Sequence, residues 1–150
     1  MNELAPRPAW SIPFVARRLG VGLAIGSAIA AAAALLLWIT GAYRLDAIEL
    51  RAPPLIVLGL PLFAWLEELI FRRLLLDWMA RWWGRTTGLL ISSLIFGGVH
   101  AMNPGGLSLA AVVGVSLAGL WLGQLYLQHR RVVACTAAHL AWNAVLGPVF

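Results

Sequence analysis

Five nearly unbroken apolar stretches, at about 19–43, 54–80, 86–102, 107–128 and 132–150, alternate with the short polar breaks RLDAIELRAP, RWWGRT, NPGG and QHRR. A helix that crosses a bilayer needs roughly 20 apolar residues, with about 17 at the short end. In lipid only helices or closed barrels satisfy the backbone, and continuous runs of this length read as helices. The pattern predicts an all-α integral membrane protein of about five transmembrane helices in a single domain, 1–150. Residues 1–18 form a cytoplasmic N-terminus, 19–43 an additional first helix, and 54–150 a four-helix bundle. Arg17 and Arg18 ahead of the first run imitate a signal peptide. Its apolar core exceeds the roughly 7–15 residues of a signal h-region, so it reads as a retained helix. Gly22, Gly26 and Ala30 fall four apart on it; Ala110, Gly114 and Ala118 do so on the fourth run, as do Gly119 and Gly123. Small residues at this spacing let membrane helices approach closely.

Composition agrees with that pattern. The 150-residue chain is 61% hydrophobic and 11% charged, against about 45–50% and 25% for soluble domains. Its formal charge of +5 arises from arginine alone, with no lysine. Arg7, Arg17, Arg18, Arg81, Arg85, Arg130 and Arg131 fall on one side of the five spans, while Arg44 and Arg51 are balanced by Asp46 and Glu49 on the other. Positive residues gather on the cytoplasmic side, which puts the N-terminus inside and the C-terminus outside. Trp10, Trp82 and Trp83 suit an interfacial belt at the inner edge, where Asp77 and His129 read as solvated or interfacial. No basic patch interleaves with aromatics outside the apolar runs, so a nucleic-acid partner is not expected; the partners are lipid and a membrane-associated protein or peptide. Cys135, the only cysteine, excludes an intrachain disulfide and a paired-cysteine metal site, and reads as a small packing residue.

The strongly polar residues left inside the runs are Glu67, Glu68, Arg72, Arg73, His100, His139 and Asn143. At about 1.5 Å per residue, Glu67, Glu68 and His100 lie roughly 20 Å from the inner edge, with His139 and Asn143 at about 12 and 18 Å. Three helices therefore bring polar groups toward the middle and outer half of the bilayer, where even one charge costs roughly 2.5–3.5 kcal/mol. Glu68 and Arg72 are four apart and pair on one helix face, which leaves Glu67, about 100° around the helix, without a local partner. Phe96 with His100, and His139 with Asn143, are also four apart, each pair projecting from one face. A free carboxylate, two imidazoles and an amide are the parts of a water-activating hydrolase: a poorly solvated carboxylate takes a proton from water, and imidazole and amide groups donate to an oxyanion.

Each feature also has a structural reading. Glu68 with Arg72 serves as an ion pair, the two histidines and Asn143 as interhelical hydrogen-bonding groups, and Phe96 as packing. Arg73 snorkels toward the surface. The unpaired second acid beside the ion pair is what these readings leave over.

Glu67-Glu68-x-x-x-Arg72, Phe96-x-x-x-His100 and His139-x-x-x-Asn143, in that order on successive helices, resemble the CPBP family, the CAAX-protease and bacteriocin-processing (Abi) intramembrane endopeptidases. The resemblance covers roughly residues 54–150 and implies a four-helix catalytic core that cleaves peptide bonds at or within the membrane. By that resemblance Glu67 activates water, His100 positions or polarises it, His139 and Asn143 form the oxyanion site, and Glu68 and Arg72 order the first motif. It implies no cofactor. With one additional helix the chain looks near-minimal beside larger members, and its arginine-rich, bacterial character suggests an inner-membrane protein acting on CAAX-type ends, C-terminal sorting tails or leaders. Two alternatives stand beside this reading: a zinc protease with Glu67, His100 and His139 as ligands, and a non-enzymatic scaffold or bacteriocin-immunity protein in which the same residues stitch helices together.

Overall fold

A computed structural model describes residues 11–39, 54–102 and 109–146, and among these every regular element is helical. Arg7, Trp10, Arg44, Asp46, Glu49, Arg51 and the NPGG turn lie outside the described residues, as do the outermost parts of the expected first, fourth and fifth runs. Helix α1 spans Ile12–Ile39. Ser11 precedes it and accepts the Phe14 N–H on Oγ at 3.3 Å, and Pro13 sits in the first turn, where its missing donor costs little. The helix therefore begins before the apolar run does. Arg17 and Arg18, expected ahead of it, lie in its early turns.

The second run becomes one rod of three parts: α2 (Pro54–Glu68), a π-helical segment (Leu69–Leu76) and α3 (Asp77–Trp83). A π segment is wider than an α-helix because each carbonyl bonds five residues on, and such segments concentrate at functional sites. This one begins directly after the paired acids. Its end is marked by the Asp77 N–H, which donates to the carbonyls of Arg72 and Leu74. Gly84, at φ 84°, makes the turn into α4 (Arg85–His100); a side chain there would be strained. Helices α5 (Leu109–His129) and α6 (Val132–Leu146) complete the bundle. They are joined through Arg130 in the left-handed region, φ 55°, with its N–H returned to the Tyr126 carbonyl at 2.6 Å, a closure that satisfies a helix-end carbonyl.

Among the described residues two stretches are long and apolar enough to cross a membrane, Ile12–Leu36 and Ala111–His129. Small residues set the packing. A Cβ on Gly26 would fall 2.5 Å from the Ala138 carbonyl oxygen, and one on Gly22 would strike the Ala134 carbonyl. The expected stripe on α1 thus seats in a matching alanine stripe on α6, with Ala30, Ala134 and Ala138 all without exposure. Among the described residues α1 packs on α6 alone. On α5 the working stripe is Gly119 and Gly123, which face Phe96 and Ser93, and Leu89, on α4. Gly114 faces open space, so the expected Ala110–Gly114–Ala118 seam does not set this contact. Leu76, Ala80, Leu122, Tyr126, Ala134, Cys135 and Ala138 form the core, and Cys135 is the packing residue its surroundings predict. Leu74, Leu94, Leu117 and Trp38 point outward, which suits hydrocarbon. Among the described residues the backbone of α2 lies close to α6 and the π segment but not to α4.

The close α1–α6 seam makes Gly26→Leu an overpacking change, expected to lower stability by about 1–3 kcal/mol. Unfolding in detergent should show this loss, with Gly114→Leu near wild type.

Candidate active site

Glu67 and Glu68 end α2, and the two carboxylates have opposite environments. Glu68 is fully buried. Its Oε2 accepts from Arg72 Nε at 3.0 Å, and its Oε1 lies 2.9 Å from His139 Nδ1. The expected ion pair is thus present but carries a third member from α6. Burying such a pair is tolerated only where geometry and further hydrogen bonds compensate the lost hydration. Arg72 is also without exposure, and among the described residues its two terminal nitrogens have no hydrogen-bond partner. Its guanidinium instead lies 4.7 Å from the centre of the Phe96 ring, an attraction strengthened by desolvation.

Glu67 is 38% exposed. Its Oε2 lies 3.8 Å from His100 Nε2 and 3.6 Å from His139 Nε2. Both imidazoles are oriented by their other nitrogen: His100 Nδ1 is 2.8 Å from the Phe96 carbonyl and His139 Nδ1 is held by Glu68. A carbonyl only accepts, so His100 carries its proton on Nδ1 and, when neutral, turns a lone pair toward Glu67. The exposed carboxylate and two imidazole Nε2 atoms therefore converge from α2, α4 and α6.

Phe96, one turn before His100, forms the floor. Its ring contacts Arg72, lies 4.3 Å from the His100 ring and 6.2 Å from the His139 ring, and meets Phe71 edge-on at 4.9 Å. Phe96 itself is buried. Asn143 is half-buried one turn beyond His139, and among the described residues it makes no hydrogen bond to Glu67, His100 or His139. Among the described residues no group of three His, Cys, Asp or Glu is spaced to hold a metal ion.

A second polar cluster lies beyond the π segment and changes the reading of Asp77, Arg73 and His129. Asp77, expected to be solvated, is fully buried. Its carboxylate accepts from Tyr126 Oη at 2.8 Å, Arg130 at 2.6 Å and Arg73 at 3.3 Å. Arg73 therefore does not simply snorkel; it reaches one turn along to Asp77. His129 is not merely interfacial either, because Arg18 of α1 contacts its Nδ1. The i, i+4 spacing of Arg73 and Asp77 was the available signal for this cluster. Tyr126 and Arg130, far along the chain, gave none.

The profile for type II CAAX prenyl endopeptidase Rce1-like proteins matches residues 49–145. That stretch contains all three motif pairs and lacks α1. Neither the curated proteins nor the solved structures contain a match to the chain.

Removing one partner of a buried ion pair costs about 3–5 kcal/mol because the other charge is left alone. Arg72→Met is expected to lose that much in unfolding measurements. Adding Glu68→Gln to it should restore a large part. A further expectation is that Asp77→Ala, which strands Arg130, destabilises to a similar degree, while Tyr126→Phe costs only about 1 kcal/mol.

Proposed function

The chain belongs to the type II CAAX prenyl endopeptidase Rce1-like family, and on that footing we propose that it is a glutamate-dependent intramembrane peptidase with Glu67 as the water-activating base. The family carries a CAAX-type intramembrane endopeptidase activity and is membrane-embedded. The observation that carries the mechanism is the division of labour between adjacent acids. Glu68 is consumed by Arg72 and His139, whereas Glu67 is accessible and faces two imidazole nitrogens.

In this mechanism one O–H of the attacking water hydrogen-bonds to Glu67 and the other to the His100 Nε2 lone pair, and this arrangement turns a lone pair of the water oxygen toward the scissile carbonyl. Glu67 takes the proton as the carbon–oxygen bond forms. The oxyanion is met by the Asn143 amide and by His139, which in its doubly protonated form donates Nδ1–H to Glu68 and Nε2–H to the oxygen. Collapse breaks the carbon–nitrogen bond, and Glu67 returns its proton to the leaving amine. Glu68, Arg72 and Phe96 hold His139 and His100 in place.

The substrate is a membrane-associated protein or peptide: a CAAX-type end, a C-terminal sorting tail or a leader. The exposure of Glu67, where α2, α4 and α6 meet, supports access for such a substrate. Five spans with the N-terminus inside, in a bacterial inner membrane, complete the proposal; its support is the gathering of arginines at one end of the bundle.

Glu67→Gln is expected to fold and insert normally and to lose about 10²–10⁴-fold in cleavage, the usual contribution of a positioned base. Comparative proteomics of host membranes should then show a substrate that accumulates uncut. Unchanged processing would favour a scaffold or immunity role. Cleavage by the purified protein is expected to persist with a chelator; loss that zinc restores would move water activation to a metal held by Glu67, His100 and His139.

A further inference from the structure

Guanidinium groups from three parts of the chain are gathered at residues 127–131, where α5 turns into α6. Arg85, at the start of α4, donates to the Leu127 carbonyl at 3.1 Å. Arg18 of α1 contacts His129 and lies 5.1 Å from the centre of the Phe14 ring. Arg131 approaches that same ring at 6.0 Å. Arg17 and Arg81 are exposed at this end. Asp77 is the one acidic residue of the described chain here, and Arg130 and Arg73 already bind it. Arg18 and Arg85 are therefore fixed by neutral groups: an imidazole nitrogen, an aromatic face and a backbone carbonyl. These contacts orient the cations without neutralising them.

Cations anchored two residues apart along the end of α5 leave a positive field at this turn that an anion would offset. The depth of the cluster indicates which anion. Trp78, Trp82 and Trp83 of α3 are exposed at the same end, Trp82 by 73%, and tryptophans of membrane proteins settle at headgroup level. Ile12 and Leu19 of α1 are exposed beside Arg18, offering apolar surface to an acyl chain. We propose that the α5–α6 turn, with Arg18 and Arg85, is a binding site for the phosphate of an anionic phospholipid headgroup. A basic site between spans on the cytoplasmic side is the kind that such headgroups occupy.

The test uses the full chain in neutral detergent, with its unfolding temperature followed as lipid is added. Phosphatidylglycerol is expected to raise the midpoint by about 3 °C or more. Phosphatidylcholine of the same acyl composition and inorganic phosphate should leave it unchanged. The gain should vanish in the double variant Arg18→Gln/Arg85→Gln, which keeps hydrogen-bond donors but loses charge, and survive in Arg18→Lys/Arg85→Lys. Salt at about 0.5 M should suppress it in the wild type, a measurement that stands even where the glutamine variant fails to fold. An equal gain with phosphatidylcholine, a gain reproduced by phosphate alone, or one indifferent to salt and to the glutamine variant would each overturn the proposal.

Discussion

The buried chain Arg72–Glu68–His139 is the constraint on which the rest of the site depends. An ion pair with no exposure has exchanged hydration for two short contacts, and such a pair is stable only while its geometry is held. Glu68 uses one oxygen for its own helical rod and the other for α6, so the pair is also an interhelical tether. The tether fixes the tautomer and direction of His139 and occupies Glu68 completely. Glu67 is left as the accessible carboxylate. Two residues of the same type, adjacent in sequence, thereby acquire unlike chemistry from their surroundings.

Backbone geometry supplies the second level of control. The π segment starts at Leu69, between the acids and Arg72, where the widened helix carries Arg72 onto the Phe96 face while keeping its Nε against Glu68. A π helix has poorer intrinsic stability than an α-helix, so its end must be anchored by tertiary contacts. Asp77 provides that anchor. Its backbone N–H closes the π segment and its carboxylate binds α5 through Tyr126 and the α5–α6 turn through Arg130. The strained left-handed backbone at Arg130 is held by the same network. Two buried carboxylates, Glu68 and Asp77, thus bracket the segment from either end.

Helix α1 stands outside the residues matched by the family profile and packs along α6, with Arg18 also reaching His129 at the end of α5. Its contact surface runs along Ala134, Ala137, Ala138 and Ala141, on the helix that carries His139. It therefore braces a site-bearing helix from behind while exposing leucines and Trp38 to the hydrocarbon. In lipid, apolar burial gives little drive for helices to associate, so close approach through glycine and alanine carries this contact.

The sequence by itself determined the helical, membrane-embedded character, because lipid demands internally satisfied backbone and long apolar runs leave little choice. It also determined which residues would have chemistry to offer: a strongly polar group in such a run stands out against its surroundings, and i, i+4 spacing links Glu68 to Arg72 and places His100 over Phe96. Tertiary structure decided the rest. Periodicity carries no information about partners on other helices, so the bond from His139 to Glu68, the convergence on Glu67 and the burial of Asp77 were invisible until α2, α4, α5 and α6 were packed. Asp77 shows the reason most directly. Near a run's polar edge a carboxylate looks solvated, and only the fold could bring it Tyr126 and Arg130 from about fifty residues away.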